Sequence, residues 1–239
     1  MRLLVSVRSA EEVSAALAGG ADIIDAKEPA RGSLGRVTPT VLSAIAARTP
    51  ASVPLSVALG DCADLDTLRA ALDGVRLGER IAPVYLKLGF AGVRSLKRIT
   101  ALLETAVASA NGSGIVAVGY ADYGLAGTPP AEVVLRAAIA ARAAGFLVDT
   151  WRKDGRTLLD HLSIEGLAAL SLRAGAAGLL FAVAGSLDPE AVSRLGVVPD
   201  VLGIRGAACR GGRSGSVDAG RVAEMRSRLR AGSALDPVE

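Results

Sequence analysis

LLVSVRSAEEVSAALAGGADIIDAK, residues 3–27, decides the fold. A β-rich run (3–7) leads into a segment with apolar residues at helical spacing. A glycine pair follows, and then a second β-rich run, DIIDAK (22–27). Strands that read as nearly continuous apolar runs belong in a parallel sheet covered on both faces, with the helix as crossover. Outward from this unit the pattern repeats. Further strands are predicted at VPLSVAL (53–59), PVYLKLG (83–89), IVAVGY (115–120), FLVDT (146–150), LLFAVAG (179–185) and VLGIRG (201–206), each followed by an Ala/Leu-rich helical stretch. Gly19, Gly74 and Gly145 read as helix C-caps. Eight such units in 239 residues predict the α/β class, as a single (β/α)8 TIM barrel over 1–230 with a loose C-terminal tail over 231–239. An open doubly wound sheet would want G-x-G-x-x-G after the first strand, where this chain has VRSAEEV.

Composition narrows the function classes. Hydrophobic residues make up 51% of the chain and aromatics 3%, so the core must rest on Leu, Val, Ile and Ala. Net charge is +3, with arginines scattered beside Glu and Asp rather than gathered into a basic stripe with stacking aromatics. Small anionic molecules are therefore expected as partners, and nucleic acid is not. No apolar run is long enough for a signal peptide or a bilayer span, which predicts a cytoplasmic protein without a membrane partner. Two cysteines, Cys62 and Cys209, make no disulfide framework and, with one histidine, no zinc set, so no metal is expected. Ala-rich outer helices favour a homo-oligomer.

Lysine is the informative residue. Of 27 basic residues only four are lysines: Lys27, Lys87, Lys97 and Lys153. Lysine can form a Schiff base and shed its proton at accessible pH, and arginine cannot. Lys97 lies in the helical stretch RSLKRIT and reads as solvated surface. The other three fall at or just past the C-terminal ends of strands 2, 4 and 6, at the end of the barrel where active sites lie. Asp25, two residues before Lys27, faces the same way, and Asp149 ends strand 6 ahead of Lys153. An amine flanked by cations loses its proton readily, and nearby carboxylates can relay protons. The alternative is three snorkelling rim lysines in structural ion pairs.

The loops after strands 7 and 8, AGS (184–186) and GIRGAACRGG (203–212), suit a phosphate site. Gly185, Ser186, Gly203 and Gly206 allow close backbone approach, and Arg205 could pair with phosphate bidentately. Asp61 and Asp122 read as supporting polar groups or loop caps. His161 reads as a local polar contact, and Cys62 and Cys209 as small buried thiols.

The strings DIIDAKEPARGSLG, SVALGD, YLKLGF, VGYADY, VDTWRKDGRTLLDHLS, AVAGS and GIRGAACRGG occur in order along nearly the whole chain. Together they resemble the (5-formylfuran-3-yl)methyl phosphate synthases, also called 4-(hydroxymethyl)-2-furancarboxaldehyde-phosphate synthases, of methanofuran and methylofuran biosynthesis. The resemblance implies a lyase that condenses two glyceraldehyde 3-phosphates, releasing phosphate and water, with no cofactor. It implies Lys27 as the Schiff-base lysine, Lys87 as proton acceptor, and Asp25, Asp149 and Lys153 as further catalytic positions. One departure lies next to the implied Schiff-base lysine: Glu28-Pro29 stands where archaeal members usually carry Asn-Pro or similar, and a carboxylate there could alter the amine's pKa. Two rival readings use the same residues. One is another class I aldolase or dehydratase acting on a triose phosphate, and the other a sugar-phosphate-binding barrel without catalysis.

Overall fold

A computed structural model describes residues 1–75, 77 and 82–232, and in it eight parallel strands close into a barrel in chain order. The strands are β1 (Arg2–Val7), β2 (Ile23–Ala26), β3 (Leu55–Asp61), β4 (Val84–Gly89), β5 (Gly114–Tyr120), β6 (Gly145–Asp149), β7 (Leu180–Val183) and β8 (Val201–Ile204). Pairing of β8 with β1 closes the ring. All eight predicted strands are present, shifted by a residue or two at their ends.

Helices follow the strands as expected: α1 (Ala10–Ala18), α2 (Pro39–Arg48), α3 (Leu65–Asp73) and α4 (Leu96–Ala108). After β5 a short α5 (Tyr123–Ala126) precedes α6 (Ala131–Ala140). The remainder are α7 (Ile164–Ala176), the short α8 (Pro189–Ser193) and α9 (Ala219–Gly232). Side-chain caps start several of them at the βα loops. Thr38 accepts from the Val41 N–H, Asp64 from Thr67, Ser95 from Arg98 and Ser163 from Gly166, each satisfying an N–H that a helix start leaves open. The last helix runs through Gly232, and the rest of the expected tail, 233–239, lies outside the described residues.

The core has two shells. The outer shell fills the space between sheet and helices with Leu, Val, Ile and Ala, and both cysteines are buried in it. The inner shell lies inside the barrel and includes Ile23, Val116, Val118, Leu147, Ala182 and Val201. Inner and outer residues alternate along each strand, as the period-two geometry of a strand requires. No helix among the described residues is long and apolar enough to cross a membrane.

One of the glycine assignments changes and another gains a different cause. Gly145 opens β6 and caps nothing: α6 ends against Ala141, and a Cβ at Gly145 would sit 2.9 Å from the Leu180 carbonyl of β7. Gly19 does cap α1, but with right-handed backbone (φ −80°) that any residue could adopt. What demands glycine there is packing, because a Cβ would collide with Val222 and the Ala219 carbonyl of α9.

Candidate active site

Ser6, Asp25, Ser56 and Tyr85 are register partners across β1 to β4, and Ala58 and Lys87 form the next inward step. Lys27 directly follows β2. The barrel thus brings Asp25, Lys27, Lys87 and Asp149 together inside its C-terminal end, with relative exposures between 0% and 6%. Lys153 reaches in from the β6–α7 loop. Lys27, Lys87, Asp149 and Lys153 edge a cavity of about 440 Å³ that runs from the mouth down into the barrel, and Asp25 lies buried behind Lys87.

Two of the lysines are paired. The Lys87 ammonium lies 2.7 Å from Asp25 Oδ1, and Ser6 Oγ donates to Asp25 Oδ2 at 2.7 Å. The Lys153 ammonium donates to Asp149 Oδ1 at 2.7 Å and to Thr150 Oγ1 at 2.8 Å. Burial alone would raise both carboxyls. The ammoniums more than reverse it, Lys87 and Lys27 holding Asp25, and Lys153 and Lys27 holding Asp149, below the ordinary carboxylate range.

Lys27 is the unpaired member of the group: its amine makes no hydrogen bond and no ion pair among the described residues, and it edges the cavity. Three lysines face two aspartates, so once Lys27 is neutral the remaining charges balance. Burial first, and then the neighbouring Lys87 ammonium, bring Lys27 from 10.5 to about 7, against the opposing pull of Asp149 and Asp25. A buried amine of this kind holds a sizeable free-base fraction near neutral pH, the form that nucleophilic chemistry requires. Glu28 takes no part in that balance, because its carboxylate turns back to accept from the Ala30 N–H at 2.9 Å.

Arg205 borders the cavity, but its guanidinium turns into the protein rather than toward a ligand. It is 4% exposed, and its guanidinium is consumed inside the protein. It donates to both Glu12 carboxylate oxygens and to the carbonyls of Ser6 (3.0 Å), Arg213 (3.1 Å) and Gly215 (2.7 Å). Five donors meet five acceptors, which leaves none for a ligand. The buried partner Glu12 lies on α1, and a lone sequence position could not reveal the pairing. Arg213, which the sequence reading passed over, occupies the mouth instead. Its Nη2 holds the Pro29 and Gly32 carbonyls of the loop after Lys27, at 3.2 and 2.6 Å, and the side chain edges the cavity. Gly185, Ser186, Gly203 and Gly206 also border the cavity. Ser186 adopts the left-handed conformation (φ 53°), uncommon for serine.

The supporting residues resolve into two fasteners. Asp122 accepts from the Trp151 and Arg152 N–H groups, at 2.6 and 2.8 Å, and so ties the β5 loop to the loop carrying Lys153. Asp61 accepts from Tyr120 Oη at 2.8 Å and from the Ala91 N–H, and Ser33 Oγ donates to Tyr120 at 3.3 Å. Gly89 makes room for this second knot: a Cβ there would strike Asp61 Oδ1 and lie 2.6 Å from Tyr120 Oη and 2.7 Å from Leu34. Gly89→Ala is expected to cost about 1–3 kcal/mol by overpacking, read as a lower urea midpoint at unchanged m-value. Lys97 is exposed on α4, and the His161 N–H closes a turn onto the Leu158 carbonyl. Burial raises both thiols, Cys62 to about 11. Among the described residues no group of three or more His, Cys, Asp or Glu is placed to hold a metal.

Fold and site together define a (β/α)8 barrel whose mouth carries a buried lysine–carboxylate cluster. A family model described as 4-HFC-P synthase matches residues 3–226. The (5-formylfuran-3-yl)methyl phosphate synthase of Methanocaldococcus jannaschii is 36% identical, covering 95% of this chain and 98% of its own. That of Methanothermobacter thermautotrophicus is 34% identical over 96% and 99%. A protein of Methylorubrum extorquens named as a putative member is 34% identical over 98% and 94%. The chain belongs to the (5-formylfuran-3-yl)methyl phosphate synthase family. Solved structures share the fold alone. Phosphoribosyl anthranilate isomerase from Thermus thermophilus superposes with a TM-score of 0.60 at 14% identity, covering 97% of this chain and 99% of its own. Thiamine phosphate pyrophosphorylase from Pyrococcus furiosus gives 0.61 at 15%, covering 96% and 95%.

Proposed function

We propose that this protein is a lyase that joins two glyceraldehyde 3-phosphates, through a Schiff base on Lys27, into (5-formylfuran-3-yl)methyl phosphate, with release of phosphate and water. The observation that carries the proposal is the unpaired, buried Lys27 amine, poised near neutrality between two lysines already matched to carboxylates. Attack of that amine on the aldehyde carbon gives a carbinolamine, and loss of water gives an iminium. The iminium is an electron sink that acidifies the adjacent C–H. The Lys87 ammonium, tied to Asp25, gives a proton to the departing hydroxyl as water leaves and, now neutral, takes the C–H proton, and Asp149 with Lys153 relays protons on the opposite wall. Glycine N–H groups of the β7 and β8 loops take a substrate phosphate, with Arg213 supplying the cation in place of Arg205.

Because the nucleophile is the neutral amine, Schiff-base formation rises with pH and levels off above about 7. The sign of each neighbour's effect then makes a test. Lys87→Met removes a cation that lowers the Lys27 pKa, so the acid limb moves to higher pH. Asp149→Asn removes an anion that raises it, so the limb moves to lower pH. The measurement is the pH profile of the adduct-trapping rate in the two variants. Shifts in the same direction would refute the assignment.

Function itself is tested with glyceraldehyde 3-phosphate as sole substrate, following near-ultraviolet absorbance and free phosphate together. A furan aldehyde brings both signals. A colourless product without phosphate release would indicate a class I aldolase, and binding without turnover a sensor.

A further inference from the structure

Ser56 is the one buried hydroxyl among the described residues that edges the cavity and is left without a hydrogen-bond partner. It is 1% exposed, on the inner face of β3, and its Oγ has no acceptor or donor within reach. Its surroundings are not apolar. Asp25 and Tyr85 are its register partners on either side, and Ala58, two residues on, is level with Lys87. Ser6, in the same row, spends its hydroxyl on Asp25. A hydroxyl kept from water and left unmatched costs about 1–3 kcal/mol, and alanine fits the same place at no such cost.

We infer that Ser56 is a substrate-binding residue. Its hydroxyl pairs with the hydroxyl on the carbon next to the aldehyde of the bound triose, deep in the cavity beside Asp25 and Lys87. The inference rests on the proposed triose-phosphate substrate, and it deepens that reading by assigning specificity for a 2-hydroxyaldehyde over its deoxy counterpart. The carbon that Lys27 attacks lies above this row, and its neighbour's hydroxyl points down into it. A site built to match a hydroxyl discriminates against ligands lacking it, because the protein group is then stranded.

The test separates recognition from covalent chemistry. In a Lys27→Met background no Schiff base forms, so calorimetry reads simple binding of glyceraldehyde 3-phosphate and of 3-phosphopropanal, which lacks the 2-hydroxyl. Lys27→Met should prefer the hydroxylated ligand by about tenfold, the worth of one matched hydrogen bond. Adding Ser56→Ala should erase the preference while leaving the thermal midpoint equal or higher, since an unmatched hydroxyl has been removed. A preference that survives Ser56→Ala, or is absent from both proteins, overturns the inference. Borohydride trapping on the native protein reports the Schiff base separately. Trapping with no Ser56-dependent preference sinks this inference alone, and the preference without trapping sinks the mechanism alone.

Discussion

Lys27→Met should lose turnover by about 10⁴-fold or more and yet fold at least as well as the native chain. The rate follows from the chemistry: without an amine at this position no covalent intermediate forms, and loss of a nucleophile removes a step rather than a contact. The stability follows from the sign of the pKa shift. The folded Lys27 titrates near 7 and the unfolded lysine near 10.5, so between these values the unfolded chain binds the extra proton. Below about pH 7 both states are protonated and the buried ammonium destabilises the fold in full. That penalty fades as pH rises toward 10.5. Methionine fills similar space without charge, so the variant should gain most over the native protein at pH 6 and progressively less toward pH 10. Thermal melts at both pH values, beside steady-state turnover, check the pair of expectations. A variant that unfolds, or one that is equally stabilised at both pH values, would show that Lys27 is a structural cation.

Arg205→Met carries the largest expected stability loss, about 3–5 kcal/mol. It strips the partner from Glu12, which is 6% exposed, and leaves the Ser6, Arg213 and Gly215 carbonyls without their donor. Ser6 in turn holds Asp25, so the same change should loosen the Lys87 pair and reduce turnover. Urea unfolding gives the stability term. Glu12→Gln should behave similarly, because a charged guanidinium would then be buried without its anion. If Arg205→Met instead raised only the KM for a phosphorylated substrate at unchanged stability, Arg205 would be the phosphate ligand after all.

The contrast between Lys27 and Arg205 shows what could be read before any coordinates. The barrel was legible because its signal is periodic and redundant: eight apolar runs with helical intervals admit few other arrangements. The lysine cluster was legible because arginine stands at almost every other basic position, so three of the four exceptions pointed to one barrel mouth, and strand alternation placed Asp25 and Lys27 on one face. The pairing of Arg205 was not legible because a residue at a strand's end faces either the ligand or the protein, and its guanidinium is held by Glu12, 193 residues away. Arg213 was missed because it sits in a loop with no periodicity, and its position depends on carbonyls of the β2 loop. Gly145 was misjudged in the same way, and at both Gly145 and Gly19, which does cap its helix, the demand for glycine comes from close approach of another element rather than from local backbone.

The most direct test of the central claim is borohydride reduction in the presence of glyceraldehyde 3-phosphate, followed by peptide mapping of the adduct. A triose-derived mass is expected on the peptide carrying Lys27, forming faster as pH rises through 7 and absent from Lys27→Met. An adduct on Lys87 or Lys153 with Lys27 unmodified, or none on any lysine while the substrate demonstrably binds, would contradict it.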